Sequence, residues 1–336
     1  MQSLNTDKTK NELPLAITMG EPGGINSEIL LKALKKIKKI KIFVICDPSW
    51  IEGSLRIFQL NFPINIISSP SGVKIGFLNI LPLKNNIIFN IGNANKANNK
   101  AIIESIDTAV SLAQAKKISG VITLPIYKKI LMDDGFNFPG HTEYLSYKDN
   151  SKSLMILMNK EIKVATVTTH IPISQVPKSI NKNLLIEKCS ILNSSMINDF
   201  NIKHPKIVIS SLNPHAGEEG QIGEEEIKTI LPAIKEIKKA GINVIGPLPA
   251  DTLFHKDNLK KYDARLCMFH DQALIPVKTI DFYNGINFSA GLSFVRTSPD
   301  HGTAFDIAGK NLANPDSLIS SIKQAKMISK NRQKND

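Results

Sequence analysis

The chain has 336 residues, more than one compact core ordinarily holds, so two lobes are expected. Hydrophobic residues make up 42% of it, enough for buried cores, and three widely spaced cysteines exclude a disulfide framework and fit a reduced cytoplasmic compartment. A net charge of +12 could draw an acidic partner, but lysine runs such as Lys35-Lys36-Ile37-Lys38-Lys39 read as solvated faces and 6% aromatic content offers no base-stacking platform, so no nucleic-acid partner is expected.

In chain order, residues 15–18 read as a first buried strand, followed by the loop Gly20-Glu21-Pro22-Gly23-Gly24 and a helix over 27–36. Residues 41–46 form a second strand. A long helix is expected over 98–119, with Ile102, Ile106, Ala109, Val110 and Ala113 as its apolar stripe, Gly120 ending it and 121–124 as the next strand. A helix over 183–199 precedes a strand at 206–210. Glu224-Glu225-Glu226 opens another helix at its positive dipole end, Lys235, Lys238 and Lys239 lie near its close, and Pro232 is expected to kink it. Gly241 stops it, 243–246 is a strand, and the last helix covers 315–330. This alternation predicts parallel sheets with helices on both faces. The polar stretch 1–11 lacks the apolar core of a signal peptide, and no apolar run reaches the roughly 18 residues of a membrane span, so no membrane partner is expected.

Three apolar runs end in histidine: 164–169 at His170, 207–214 at His215, and 266–269 at His270-Asp271-Gln272. Ligands of open α/β sheets bind beyond the carboxyl ends of strands, so these imidazoles are placed for chemistry. Together they suggest a three-histidine metal site with an open position, of a type that suits Zn²⁺ or Co²⁺ better than Mg²⁺. Each taken singly reads as an ordinary hydrogen-bonded histidine. His204 and His255 look like surface residues.

Other candidates carry anion chemistry. In Phe138-Pro139-Gly140-His141-Thr142-Glu143, Thr142 reads as a helix N-cap and the helix start presents N–H groups to an anion. Lys278, Asn287 and Arg296 could meet phosphate or carboxylate, or be ordinary structural side chains. Gly302 and Thr303, in Asp300-His301-Gly302-Thr303-Ala304-Phe305-Asp306, read as a tight turn into a helix suited to an adenosine. Neither a GxGxxG nor a GxxxxGK[ST] pattern is present, which sets aside ordinary Rossmann or P-loop binding.

These motifs form a set. Ile17-Thr18-Met19-Gly20-Glu21-Pro22-Gly23-Gly24-Ile25, Pro139-Gly140-His141-Thr142-Glu143, Leu212-Asn213-Pro214-His215-Ala216-Gly217-Glu218, Gly246-Pro247-Leu248-Pro249-Ala250-Asp251-Thr252, Phe269-His270-Asp271-Gln272 and Arg296-Thr297-Ser298-Pro299-Asp300-His301-Gly302-Thr303-Ala304 occur in one order over residues 15–315. In them the chain resembles the 4-hydroxythreonine-4-phosphate dehydrogenases of pyridoxal 5′-phosphate biosynthesis. The resemblance implies an α/β fold of the isocitrate/isopropylmalate dehydrogenase type, two interleaved α/β/α lobes around a cleft. The first lobe is expected over 1–140 and 272–336 and the second over 141–271.

The resemblance further implies NAD- or NADP-dependent oxidation of 4-phosphooxy-L-threonine, followed by decarboxylation to 3-amino-2-oxopropyl phosphate. It makes His170, His215 and His270 ligands of one divalent metal, with Zn²⁺ foremost and Co²⁺ or Mg²⁺ as alternatives. It assigns His141, Thr142, Lys278, Asn287 and Arg296 to the phosphorylated substrate. His301, Gly302, Thr303, Ala304, Asp306 and Asn314 are assigned to the cofactor. Lys278, Asp271 and Asp251 are the candidate catalytic groups, with proton relay or orientation of a ligand histidine as possible tasks for the two carboxylates. A homodimer with shared active sites is implied, with His270 expected from a different chain than His170 and His215. Leu124-Pro125-Ile126-Tyr127-Lys128 departs from the smaller residues usual there. A dehydrogenase of 4-phospho-D-threonate or phospho-erythronate is the alternative within this fold, and a zinc hydrolase the alternative outside it.

Overall fold

The computed structural model describes residues 12–335, so the polar stretch 1–11 lies outside the described residues. The strands are β1 (Leu15–Thr18), β2 (Ile42–Cys46), β3 (Ile64–Ile66), β4 (Leu78–Pro82), β5 (Gly120–Thr123), β6 (Leu154–Met158), β7 (Lys163–Thr166), β8 (Ile207–Ser210), β9 (Val244–Leu248), β10 (Ala264–Cys267), β11 (Ile286–Ala290) and β12 (Arg296–Pro299). They fall into two compact units. One runs through Asn150 and resumes over Ser293–Ser329; the other comprises Ser151–Leu292 and the chain from Lys330.

In the first unit the strands lie in the order β3-β4-β2-β1-β5-β12, each pair parallel. β1, β2 and β5 are buried along their whole length, which is why they read as continuous apolar runs rather than alternating ones. The helix Asn99–Gln114 buries the expected stripe Ile102, Ile106, Ala109, Val110 and Ala113. It ends earlier than expected. Lys116 takes the left-handed conformation at φ 53° and closes the helix, and Gly120 is instead the first residue of β5. A Cβ at Gly120 would meet the Val295 carbonyl at 3.2 Å, so this glycine serves strand packing.

In the second unit the order is β11-β6-β7-β10-β8-β9. β7, β10, β8 and β9 are parallel, but β6 is antiparallel to both neighbours, against the expectation of parallel pairing throughout. The reason is local. Asn159 accepts from the N–H groups of Glu161 and Ile162 and turns β6 directly into β7, and so short a connection joins only antiparallel strands. Pro232 lies within one continuous helical run, in which the π-helical turn Glu226–Ile230 passes directly into the α-helix Leu231–Lys239; the regular i→i−4 pattern is thus interrupted just where the proline lacks its N–H. The last helix, Asp316–Asn335, extends beyond residue 330. None of the described helices is long and apolar enough to cross a membrane.

Candidate active site

In the second unit the backbones of β7 and β10 stay paired past their strand ends. Val167 N–H donates to Cys267 O at 2.8 Å, and Thr168 donates to Met268 O through both N–H (3.1 Å) and Oγ1 (2.8 Å). Two residues beyond each of these pairs, His170 and His270 bring their ring centroids to 6.0 Å. His270 is not in a loop but opens the helix His270–Ile280, so Asp271 and Gln272 share its first turn. Asp271 Oδ1 lies 2.9 Å from His270 Nδ1, and a carboxylate at that nitrogen favours the tautomer that leaves Nε2 without a proton. Gln272 accepts from Met268 N–H and donates to Ser211 O, both at 2.8 Å, tying the end of β10 to the end of β8.

His215 follows β8 in an unusual segment. His215, Ala216, Gly217, Glu218 and Glu219 all have positive φ, between 42° and 78°. A left-handed turn costs roughly 1–2 kcal/mol per non-glycine residue, so it needs an anchor. That anchor is Glu226, a carboxylate 2% exposed. It accepts from the N–H groups of Leu212 and Asn213 and from Asn213 Nδ2, each at 2.8 Å. The three glutamates expected only to suit a helix dipole thus contain the residue that shapes the His215 loop.

With Zn–N near 2.1 Å and the ring centroid about 1.1 Å behind the nitrogen, two imidazole centroids around one ion can lie up to about 6.4 Å apart. That limit needs a linear arrangement; at the tetrahedral angle the same two centroids would lie about 5.2 Å apart, so the His170–His270 spacing of 6.0 Å is wider than a tetrahedral donor pair. Both rings belong to one chain. His215 is exposed, and among the described residues no three His, Cys, Asp or Glu side chains gather into a metal-binding group. Asp251 is exposed on the short helix Ala250–Leu253. Lys278, half-buried in the last turn of His270–Ile280, places Nζ 5.5 Å from the Phe282 ring centroid. Asn287 sits on β11, with Oδ1 buried and without a hydrogen bond.

The first unit holds the other cluster. Gly140, not Thr142, is the N-cap of the helix His141–Asp149; its extended backbone opens the helix without a side-chain cap, and Thr142 lies in the first turn with its carbonyl accepting from Ser146 Oγ. Arg296, at the start of β12 and 2% exposed, donates from Nε (3.1 Å) and Nη2 (2.6 Å) to Thr123 Oγ1 at the end of β5. Burial lowers its guanidinium pKa to about 10, and the negative charge of Glu143 works against that fall. His141 is held well below the usual histidine range, by burial first and then by the positive charges of Arg296 and Lys128. It is therefore neutral, and its Nε2 is buried without a hydrogen bond. A helix N-terminus, a buried guanidinium, the nearby Lys128 and an unsatisfied imidazole nitrogen thus cluster here, a chemistry able to receive an anion. Thr123, the last residue of β5, and Lys128 were given no binding role in the sequence reading.

The loop assigned to a cofactor lies in the same unit. No helix follows Gly302 and Thr303, contrary to expectation; turns cover 305–311, with Ala304 left-handed at φ 43°. Thr303 O accepts from Ile25 N–H at 3.0 Å, and a Cβ on Gly24 would come within 2.6 Å of the same oxygen. Tyr127 and Phe305 meet edge to face at 5.2 Å, so the bulk at Tyr127 packs on this loop. His301 Nδ1 lies 3.1 Å from Gly302 O, Asp306 is exposed, and Asn314 Oδ1 accepts from Asp316 N–H, capping the last helix. Glu21, 1% exposed, was missed as a separate feature. Burial raises its pKa to about 7, against the hydrogen bond from Gly23 N–H.

The family model described as Pyridoxal phosphate biosynthetic protein PdxA matches residues 38–325. The 4-hydroxythreonine-4-phosphate dehydrogenase of Sulfurihydrogenibium sp. (strain YO3AOP1) is 41% identical over 321 residues, 95% of this chain and 99% of that protein. An enzyme of the same name from Methylorubrum extorquens is 40% identical over 328 residues, covering 94% of each. Among solved structures, 4-hydroxythreonine-4-phosphate dehydrogenase from Klebsiella pneumoniae superposes with a TM-score of 0.85 at 31% identity, covering 95% of this chain and 100% of that one. The chain belongs to the PdxA family of pyridoxal phosphate biosynthetic proteins.

Proposed function

We propose that this chain is a 4-hydroxythreonine-4-phosphate dehydrogenase. It oxidises the 3-hydroxyl of 4-phosphooxy-L-threonine to 2-amino-3-oxo-4-phosphooxybutanoate, which loses CO₂ to give 3-amino-2-oxopropyl phosphate. The observation that carries the reading is the cluster at His141 and Arg296, which suits a phosphorylated substrate and lies in a chain that matches 99% of a relative named for that reaction. The isocitrate/isopropylmalate dehydrogenase-like fold and the lobe assignment belong to the same proposal, as does the cytoplasmic compartment, supported by three buried, unpaired cysteines.

In this reading a bound divalent metal supplies a Lewis acid at the substrate hydroxyl and NAD or NADP supplies the hydride acceptor. Arg296, Lys128 and the N–H groups at His141 and Thr142 offset anionic charge. The neutral His141 can donate to or accept from the substrate through Nε2. Lys278 and Asn287 present a cation and a buried amide oxygen to the polar end of the substrate. His170 and His270 hold the metal, Zn²⁺ foremost, with Asp271 fixing the His270 ring. His215 completes the ligand set, and the homodimer shares its sites, with His270 coming from a different copy than His170 and His215. Asp251 remains the candidate proton relay, and the loop from His301 to Asp306 with Asn314 the candidate adenosine site.

The test is reduced-nicotinamide formation across a panel of four-carbon phosphorylated hydroxy acids, with metal-stripped and Zn²⁺-, Co²⁺- or Mg²⁺-restored protein. Preference for 4-phosphooxy-L-threonine is expected. Preference for 4-phospho-D-threonate or phospho-erythronate would reassign the substrate, and turnover without nicotinamide would overturn the reaction class.

A further inference from the structure

We propose that Thr123 is a positioning residue for substrate recognition, aiming the Arg296 guanidinium at the anion. The inference rests on the assignment of Arg296 to the substrate.

The pairing follows from strand register. β5 and β12 run parallel with Arg296 opposite Val121 and Thr297 opposite Ile122. Side chains alternate along a strand, so Thr123 shares a face with Val121, on the side to which Arg296 also points. The result is a two-point contact: Thr123 Oγ1 accepts from Nε at 3.1 Å and from Nη2 at 2.6 Å. These two nitrogens form one edge of the planar guanidinium. A single acceptor bridging that edge sets the plane of the group, and so sets the direction of its Nη1–Nη2 end.

Two features suit Thr123 to this task. It is 0% exposed, so no water competes for its lone pairs. It is also β-branched, and a β-branched side chain in a strand has restricted χ1, which keeps the hydroxyl oxygen in one place. Loss of this acceptor frees the Nε–Nη2 edge to rotate, and the anion would then meet the guanidinium at a poorer angle.

Thr123→Val keeps the volume and the β-branch and removes the acceptor. The expected result is a rise in KM for the phosphorylated substrate of about 10- to 100-fold, the loss for one hydrogen bond to a charged group. KM for the nicotinamide should stay within about threefold, because a general loosening of the fold would move both. Thr123→Ser restores the oxygen and should return the substrate KM to within about threefold of the parent. In an Arg296→Ala background, Thr123→Val should add no further change, because Thr123 acts through that guanidinium. If Thr123→Val does not fold, Thr123→Cys, with a weak acceptor of similar size, takes its place with the same expectation.

An unchanged substrate KM in the folded variant, equal rises in both KM values, or a full additional loss in the Arg296→Ala background would each overturn the proposal. Arg296→Ala by itself separates this result from the parent assignment. If it leaves substrate KM unchanged, Arg296 does not hold the anion at all. If it raises KM while Thr123→Val does not, only the role of Thr123 fails.

Discussion

Mixing inactive variants tests how the three histidines are divided between chains. His170 and His270 lie 6.0 Å apart, centroid to centroid, in one chain, whereas His215 is not gathered with them. Combine purified His170→Ala with His215→Ala, unfold and refold them together at equal concentration, and measure turnover per site. Random pairing gives half heterodimers. In each of these, one site has lost both ligands and the other has all three, if His215 crosses to the neighbouring copy. One intact site in two, in half of the dimers, is about a quarter of parent activity. In that arrangement the combination of His170→Ala with His270→Ala recovers nothing, since every site lacks one ligand; the expected result is the reverse, because His270 is the ligand proposed to cross, so this second mixture should recover about a quarter and the first nothing. Recovery in the first mixture and none in the second, with heterodimers present in both, would refute the crossing of His270. Recovery in neither would place all three ligands on one chain.

Arg296→Ala and Lys278→Ala should each lose the 2–5 kcal/mol typical of truncating one partner of a buried charged contact, which is about 30-fold to several thousand-fold in kcat/KM for the phosphorylated substrate. Unchanged steady-state kinetics in both would place the anion elsewhere. Asp271→Asn keeps the shape beside His270 but removes the charge 2.9 Å from Nδ1, and should weaken metal binding about 10- to 100-fold in a competition titration with a chromogenic chelator. Exposed His204 is the control, and His204→Ala should bind metal as the parent does. Glu21, its pKa raised from 4.5 to about 7, holds a proton in the folded protein over that interval while the unfolded chain has lost it. Its contribution to stability is full below pH 4.5 and lost as pH rises through 7. Glu21→Gln removes the loss, so its advantage in urea unfolding should grow with pH to roughly 3 kcal/mol above pH 8; an advantage independent of pH would show that the carboxyl does not titrate there.

Much of the frame was legible in the sequence because its signals are local. The buried parallel strands announce themselves as apolar runs, since both of their faces are covered and mostly apolar side chains fill them. The stripe on Asn99–Gln114 repeats at the helical period because only one face meets the sheet. Other features were illegible for an equally physical reason. The end of that helix is set by Lys116 taking a left-handed conformation, and lysine carries no mark of it; Gly120, which does look like a stop, is kept small by the Val295 backbone of a distant segment. The direction of β6 depends on the Asn159 side chain closing a turn, a bond that the residue type permits but does not announce.

The candidate site divides along the same line. A histidine at the end of an apolar run can be picked out one strand at a time, because strand ends are where an α/β sheet offers room for a ligand. Which two of three such histidines meet is a different kind of fact. It depends on β7 and β10 being neighbours with Thr166 opposite Cys267, and on Glu226 holding the segment that carries His215 in a left-handed turn. Neither is a property of the motif around a histidine. The same holds for the cluster at His141 and Arg296. Arg296, His141 and Lys128 are 155 and 13 residues apart in sequence, and the register between β5 and β12 brings Arg296 onto Thr123. Residue type chooses the candidates for binding and catalysis, whereas strand order and register decide which of them act together. The experiments that discriminate between readings are therefore those on pairs: His170 with His270, His170 with His215, and Thr123 with Arg296.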